Sequence, residues 1–470
     1  MDNSVIRISS LRLTNFKNVE NGKIDICNDK ELEKASILGV YGQNGSGKTA
    51  IVDALKILRS VLCGVSLNNK FAEYINVNAE SSKFEYSFIL KDEDNSRIIN
   101  IDYGFEITKA PSEEVGYFTV NNSQKFKVEV SNESLRYSIS TNDSKTKKQD
   151  LILTDSEDAF GPKSKYEILT NGDKNAAFDL MVAKKLAKTS ARSFIFCKEF
   201  LDIVKEHCQD NNYLFILNSL YDFGNFNLFV IDTANTSLAS LNALVLNFNI
   251  EDSNLAMQMG QLFVPLSDDA VIPELAYPLI LDIINNMNIV LYKLIPGLTI
   301  RIIDHGSITL KNGQLGRRVQ LLSHKNEKNI PLRYESEGTK KIIAILQLLI
   351  NMYNNSSTTV VIDEIDAGVF EYLLGELLQI IASKGKGQLI FTSHNLRPLE
   401  KINKSFIVFT TTNPNNRYVR MPYVKTNNNL RNLYFRDIYI SGQEEKLYSK
   451  TDNEEIICAF QMAGNRGNKD

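Results

Sequence analysis

Near the N-terminus apolar positions alternate with polar ones: Ile6, Ile8, Leu11 and Leu13 are spaced by Arg7, Ser9, Ser10 and Arg12. A period near two predicts strands. Asn15-Phe16-Lys17-Asn18 breaks the run and Ile24-Asp25-Ile26 resumes it, so residues 4–41 read as strands joined by turns. Ile37-Leu38-Gly39-Val40-Tyr41 is continuous rather than alternating, the mark of a strand buried on both faces. From Ala50 to about Leu62 the spacing widens, and Ile51, Leu55, Leu58 and Leu62 fall on one face of a predicted helix. Alternation returns over Phe84–Leu90, Ile99–Ile107 and Phe126–Val130, with Leu135–Ile139 a further short strand. These segments, with Asn, Asp, Ser and Gly between them, predict antiparallel strands through about residue 170.

The period changes at Asn171-Gly172-Asp173. Residues 176–208 and 273–294 carry helical spacing, with Leu180, Val182, Leu186, Phe200 and Ile203 in the first and Ile280, Ile283, Ile284, Met287 and Leu291 in the second. A mixed stretch, 213–250, holds the apolar run Leu228-Phe229-Val230-Ile231-Asp232. Strands resume at Leu298–Ile303, Ser307–Leu310 and Val319–Leu322. The pattern divides the chain into 1–172, a mainly helical insertion over 173–297 that is too short for a long coiled-coil arm, and 298–470. No internal repeat or low-complexity segment interrupts it, and Gly464–Asp470 reads as a frayed polar tail.

Composition narrows the class. With 470 residues, 43% hydrophobic and 23% charged, the chain reads as a globular protein of two or three lobes. The net charge of −3 provides no overall basic field for nucleic acid. Cys27, Cys63, Cys197, Cys208 and Cys458 are scattered without CxxC spacing, which argues against a disulfide framework or zinc knuckle and for a reducing cytoplasm. No basic-then-apolar leader opens the sequence and no uncharged apolar run reaches membrane-spanning length. Lys145-Thr146-Lys147-Lys148 reads as a solvated loop tip.

Four stretches carry chemistry. Gly42-Gln43-Asn44-Gly45-Ser46-Gly47-Lys48-Thr49 is a full GxxxxGK[ST] loop between a predicted strand and a predicted helix. Glycines let successive backbone N–H groups turn around phosphate oxygens, Lys48 can reach the terminal phosphates and Thr49 can hold Mg²⁺. Thr358-Thr359-Val360-Val361-Ile362-Asp363-Glu364 is a β-branched run ending in two acids. Asp363 can orient a metal and Glu364 can polarise a water. Leu228–Asp232 also ends in an acid but lacks the second one, and the 358–364 run is preferred. Glu335-Ser336-Glu337-Gly338-Thr339-Lys340-Lys341 precedes a helical run (Ile342 to Ile350). It reads as a helix cap, or as an anion site at a helix N-terminus given its place before the acidic strand. Gln388–His394 is a short core strand ending in a histidine at the end where parallel strands gather ligands.

In this order the four elements resemble the ATP-binding-cassette class of ATPase heads, as in RecF, Rad50, SMC and OLD proteins. Gly42 to Thr49 matches the Walker A loop, Ser336 to Lys341 the signature motif and Ile362-Asp363-Glu364 Walker B. Asp366 falls at the D-loop, His394 at the switch histidine and Asn15-Phe16-Lys17 at a step near the start of such heads. No residue stands convincingly as the Q-loop glutamine. The resemblance implies an α/β head, built of a mixed sheet and an antiparallel β lobe, over about 1–172 and 298–470. It implies ATP and Mg²⁺ as cofactors, with nucleotide contacts from Gly42, Asn44, Gly45, Ser46, Gly47, Lys48, Thr49, Ser336, Gly338 and Thr339. Thr49 and Asp363 would hold the metal, and Glu364, His394 and Lys48 would carry catalysis. The signature of one copy would close on ATP held by another, so at least a homodimer is implied.

Within the class the chain is similar to the bacterial AAA15 family, and most to the AriA-type ATPase subunits of PARIS antiphage systems. The grounds are the form of Tyr41–Ala50, the Glu335–Thr339 signature, the short insertion and the length. That resemblance implies a cytoplasmic switch or scaffold subunit, with no membrane association. It would answer a phage-encoded trigger and control an effector nuclease of the Toprim type encoded nearby. The alternative is a RecF- or SMC-like ATPase that clamps DNA, against which the acidic balance weighs. A self-contained OLD-type nuclease would need a Toprim domain after the head, for which too little chain follows His394. Leu430–Phe435 interleaves aromatic and basic residues and reads as packing or as a partner surface.

Overall fold

A computed structural model describes residues 4–26, 34–92, 97–111, 126–141, 143–156, 158–232, 243–252, 255–266, 268–310, 313–420, 430–432, 434, 446–448 and 452–465. Cys27, Leu433, Phe435 and the end of the polar tail lie outside the described residues.

The alternating segments build one antiparallel sheet: β1 (Val5–Phe16), β2 (Val19–Asp25), β4 (Ser81–Lys91), β5 (Arg97–Pro111), β6 (Phe126–Thr141) and β7 (Gln149–Leu153), in the order β2-β1-β4-β5-β6-β7. In β1 the apolar positions change parity, from Ile6 and Ile8 to Leu11 and Leu13, yet all four are buried. The register against β4 shifts between Ile8 and Ser10, and that bulge returns the second pair to the inner face. The inner face packs on α1 (Lys48–Leu62) and on four helices: α2 (Lys163–Thr170), α3 (Lys174–Thr189), α4 (Lys198–His207) and α5 (Asn211–Asp222).

The continuous apolar runs build the second sheet: β3 (Ser36–Tyr41), β8 (Leu228–Ile231), β15 (Thr359–Ile362), β16 (Gln388–Thr392), β17 (Ile407–Thr410) and β18 (Tyr418–Val419). The order is β18-β17-β3-β16-β15-β8, with all pairs parallel but β17–β18. Period two splits it between two cores. Leu38, Val40, Val361 and Ile390 face α1, while Ile37, Tyr41, Val360, Ile362, Leu389 and Phe391 face the other side with α8 (Glu371–Lys384). The expected α/β class, a mixed sheet with an antiparallel lobe, is therefore present.

A third core lies under α6 (Tyr277–Leu294), where β11 (Ala270–Pro273), β12 (Thr299–Thr309), β13 (Leu315–Lys325) and β14 (Lys328–Pro331) pair antiparallel. A separate hairpin joins β9 (Ala243–Asp252) and β10 (Leu255–Pro265). The helix α7 (Glu337–Asn354) ties two cores together, giving Ile342, Ile343, Ala344 and Leu346 to this one and Ile345, Leu348, Leu349 and Met352 to the core beneath α8. Two further helices among the described residues are α9 (Pro398–Lys401) and α10 (Asn453–Asn465).

Residues 173–297 hold the helices α3 to α6 and the four strands β8 to β11. Helices α3 to α5 cover the first sheet, the chain then re-enters the second sheet as β8, and β9 to β11 precede α6. A short apolar run without helical period is as good a core strand as a piece of helix, and its neighbours decide which. Among the described residues one stretch, Glu274–Leu294, is long and apolar enough to cross a membrane. It packs Ile280, Ile284, Met287 and Leu291 into the third core.

Arg7 locks the two principal sheets together. Its fully buried guanidinium donates to the carbonyls of Ser356 at 3.0 Å and Lys34 at 2.9 Å, and also to that of Lys386. Beside it Gln388 Oε1 accepts from Ile8 N at 2.9 Å and Gln388 Nε2 donates to Ile8 O at 2.8 Å. Arg7→Met removes the donor that three partly buried bonds to carbonyls share and is expected to lower the unfolding free energy by about 3 kcal/mol. Urea unfolding measures this, and a loss below about 1 kcal/mol would mean the sheets are held otherwise.

Candidate functional site

The glycine-rich loop leaves the C-terminal end of β3, a central strand of the second sheet, and runs into α1. Gly42 has φ 156°, and a Cβ there would lie 1.7 Å from Thr410 Oγ1. Only glycine lets the loop pass the end of β17 this closely. Ser46 Oγ bonds both to Gln43 O, at 2.5 Å, and to the Thr410 hydroxyl. Asn18 Nδ2 donates to Gly45 O, Tyr418 OH donates to Gly47 O at 2.9 Å, and Arg417 holds Asn18 in turn through its carbonyl. The loop is therefore clamped by the β1–β2 turn and by β17 and β18.

Lys48 is buried at the start of α1, and its ammonium donates to Gly42 O at 2.8 Å and Gln43 O at 3.0 Å. Burial pulls its pKa below the ordinary lysine value, while the charges of Asp363, Glu364 and Asp366 oppose that pull. The glycine loop and the acidic turn after β15 thus face one another across one site. Asn44 and Gly45 are exposed at the loop tip, and Thr49 is half-buried in the first turn of α1.

Asp363 is buried at the end of β15, where its carboxylate accepts from Thr392 Oγ1. Glu364 follows at φ 48°, a left-handed conformation that a side chain such as Glu seldom adopts. Two backbone bonds hold it there. Its N–H donates to Thr392 Oγ1 at 2.7 Å, and its carbonyl accepts from the Lys341 ammonium. Strain held in place by surrounding bonds is a property of functional turns. Asp366 caps the loop after β16, accepting from His394 N at 3.2 Å and Asn395 N at 3.0 Å. His394 itself is exposed at this edge.

Ser336 is the N-cap of α7, its hydroxyl accepting from Thr339 N at 3.2 Å and bonding Thr339 Oγ1 at 2.9 Å. The capping reading therefore describes this turn as it stands. Gly338 packs against the Asp366–Val369 turn, and Lys341, buried one helical turn on, reaches Glu364. Burial lowers the Lys341 pKa, against the charges of Asp366, Glu364 and Asp363. Within one chain the signature stretch and the acidic strand are a single unit.

Several residues at the site were given no individual role by the sequence pattern. Thr410, Arg417 and Tyr418 come from the far end of the chain. Thr392 lay inside a strand already singled out, and Lys341 inside the signature. Asp232, set aside in favour of Asp363, ends the strand beside it: Asp363 N donates to Ile231 O at 2.9 Å. Its buried carboxylate pairs with Lys56 of α1, next to a second pair, Lys17 with Asp53. The Asn15-Phe16-Lys17 step is explained here. Phe16 is buried, and Asn15 and Lys17 take left-handed backbone that aims Lys17 at α1.

A profile of the family described as "AAA domain, putative AbiEii toxin, Type IV TA system" matches residues 37–399. No functionally curated protein matches the chain in sequence. Among solved structures it is similar to an Smc head domain with an extended coiled coil, bound to the C-terminal domain of ScpA, from Pyrococcus furiosus (14% identity, 89% of this chain and 96% of that one, TM-score 0.39). It is also similar to the SMC head domain from Thermotoga maritima (13% identity, 89% and 100%, TM-score 0.35). A third is the recombination mediator protein RecF with ATPrS (15% identity, 83% and 94%, TM-score 0.33).

Proposed function

This chain belongs to the AAA-domain family described as putative AbiEii toxin, type IV TA system, and from that premise we propose that it binds ATP with Mg²⁺ and hydrolyses it as a switch. The observation that carries the reading is the juxtaposition of a buried Lys48, at the mouth of the glycine loop, with Asp363, Glu364 and Asp366. The loop N–H groups and Lys48 take the phosphates. Thr49 and Asp363, a hydroxyl and a carboxylate, are the hard oxygen donors that suit Mg²⁺. The metal, when bound, neutralises charge on the transferring phosphoryl group. Glu364 takes the proton of the attacking water and His394 faces the γ-phosphate. Ser336, Gly338 and Thr339 act in trans, closing on ATP held by a second copy, so that ATP joins heads and hydrolysis releases them.

The switch serves, on this reading, as the scaffold subunit of a cytoplasmic antiphage system that answers an infection trigger and controls an effector nuclease, of the Toprim type. Two things support it: the AriA-like form of the loop and signature, and a family description that names a toxin of a toxin–antitoxin system. The first test is nucleotide binding. Lys48→Ala is expected to weaken ATP binding about 10²-fold, the scale of losing a charge-assisted contact to phosphate. Unchanged ATP affinity in a titration would end the nucleotide reading. Phage plating on cells carrying the gene and its neighbours, with and without Lys48→Ala, tests the defence role. Tight, salt-sensitive binding to duplex DNA would favour the DNA clamp instead.

A further inference from the structure

Helix α3 has two apolar stripes. Ala176, Leu180, Ala183 and Ala187 are buried against its own chain. Phe178, Val182 and Leu186, at i, i+4 and i+8 on the other side, are 70%, 39% and 48% exposed. Lys174 and Lys185 run along one edge of this second stripe and Asp179 borders the other, while Lys188 lies further round the helix and pairs with Glu129 at 3.6 Å. A surface helix with one buried stripe is expected to be polar opposite it, so the outer row calls for a partner.

The C-terminal helix α10 has the complementary character. Every described residue from Asp452 to Ala463 is exposed, including Ile456 at 39%, Ile457 at 56%, Phe460 at 77% and Met462 at 71%. Ile456, Ala459, Phe460 and Ala463 form one apolar face at helical spacing. Asp452 caps its start, accepting from Glu454 N at 2.8 Å and Glu455 N at 3.2 Å. Glu454 and Glu455 make the first turn acidic, and no basic residue lies in its last turn. A helix of about this length is marginal in water on its own, and its persistence depends on packing.

We propose that α10 of one copy packs antiparallel on the Phe178-Val182-Leu186 stripe of α3 of a second copy. The two rows match in length, about 12 Å from Phe178 to Leu186 and about 10 Å from Ile456 to Ala463 at 1.5 Å per residue. Antiparallel packing puts Phe460 against Val182 and Ile456 against Leu186. It also brings Glu454 and Glu455 to Lys185, whereas the parallel arrangement sets them beside Asp179 as well as Lys174, so the charge complementarity selects this direction. The helix dipoles oppose one another in the antiparallel arrangement as well. Reciprocal exchange of both tails closes a two-fold dimer. This contact does not use the nucleotide site, and it needs no ATP.

The test uses the full chain without nucleotide. One preparation carries Val182→Cys and the other Ala459→Cys, both with Cys458→Ser, and the mixture is treated with a short bismaleimide. A crosslinked heterodimer is expected, lost when Glu455→Lys is added to the second preparation and recovered when Lys185→Glu is added to the first. In sedimentation velocity Phe460→Asp is expected to raise the dimer dissociation constant at least about 10-fold. These positions are exposed, so the variants are expected to keep the wild-type circular dichroism. Absence of the heterodimer overturns the proposal. So does a crosslink that forms only within one chain when both cysteines share it, or an unchanged dissociation constant for Phe460→Asp. Because nucleotide is absent throughout, none of these outcomes depends on the ATPase reading.

Discussion

Glu364→Gln is expected to lower ATP turnover by about 10²–10⁴-fold, the range contributed by a positioned general base, while leaving ATP affinity equal or tighter. The backbone around residue 364 explains why the substitution is clean. The left-handed turn is fixed by the N–H bond to Thr392 and by Lys341 on the carbonyl, and neither uses the Glu364 side chain. Glutamine is close to isosteric, so the turn, Asp363 and the Asp366 contact with the His394 loop stay in place. What disappears is the carboxylate proposed as the proton acceptor. Single-turnover phosphate release separates chemistry from binding, and equilibrium ATP titration provides the control. Turnover within about threefold of wild type would remove Glu364 from the proposed mechanism, and a parallel loss of ATP binding would give it a structural role instead. Trapping of ATP in the variant is also expected to prolong any ATP-held assembly, which size-exclusion with and without ATP reads directly.

Much of this arrangement was legible in the sequence, for reasons that also mark where legibility ends. Strand β3, the loop and α1 are adjacent in the chain, so period and spacing reveal them together. The β15 run followed by Asp363 and Glu364 is equally local. The sheet order is not. That β8 lies beside β15, and that Asp232 ends one strand away from Asp363, depends on where a four-residue apolar run docks. Such a run carries no period long enough to tell a core strand from a piece of the helical region around it. The clamp on the loop is harder still, since Thr410, Arg417 and Tyr418 meet it from more than three hundred residues away in sequence. Asn18 was visible only as part of a break between two strands, and its bond to Gly45 gives that break a task. The parity change in β1 was present in the sequence as Ile8 followed by Leu11, and a bulge is the one device that keeps both inside.

Gly338→Ala is expected to cost about 1–3 kcal/mol of stability and to abolish turnover, with ATP binding through Lys48 retained. A Cβ at residue 338 would lie 1.9 Å from Gly368 O, a backbone atom with no rotamer by which to escape. Gly368 is itself at φ 74°, in a turn closed by Ala367 N to Glu364 O at 3.0 Å and Val369 N to Asp366 O at 3.0 Å. Two tight backbones therefore meet, and the methyl group separates them. The start of α7 must move away from the acidic turn, or the turn must move away from α7. Either motion weakens the Lys341 bond to Glu364, and displacement of the turn carries Asp366 away from the His394 loop. The consequence differs from that of Ser336→Ala, which removes the capping bond and the hydroxyl contact with Thr339 and costs about 1 kcal/mol without moving backbone. Comparing the two by thermal unfolding and by ATP turnover separates a signature stretch that only caps a helix from one that fixes the geometry of Glu364. If Gly338→Ala turns over ATP at the wild-type rate, the coupling between signature and acidic strand described here is packing without function. If it loses turnover while Ser336→Ala retains it within about tenfold, the backbone contact at Gly368, more than the Ser336 hydroxyl, sets the active arrangement within one chain.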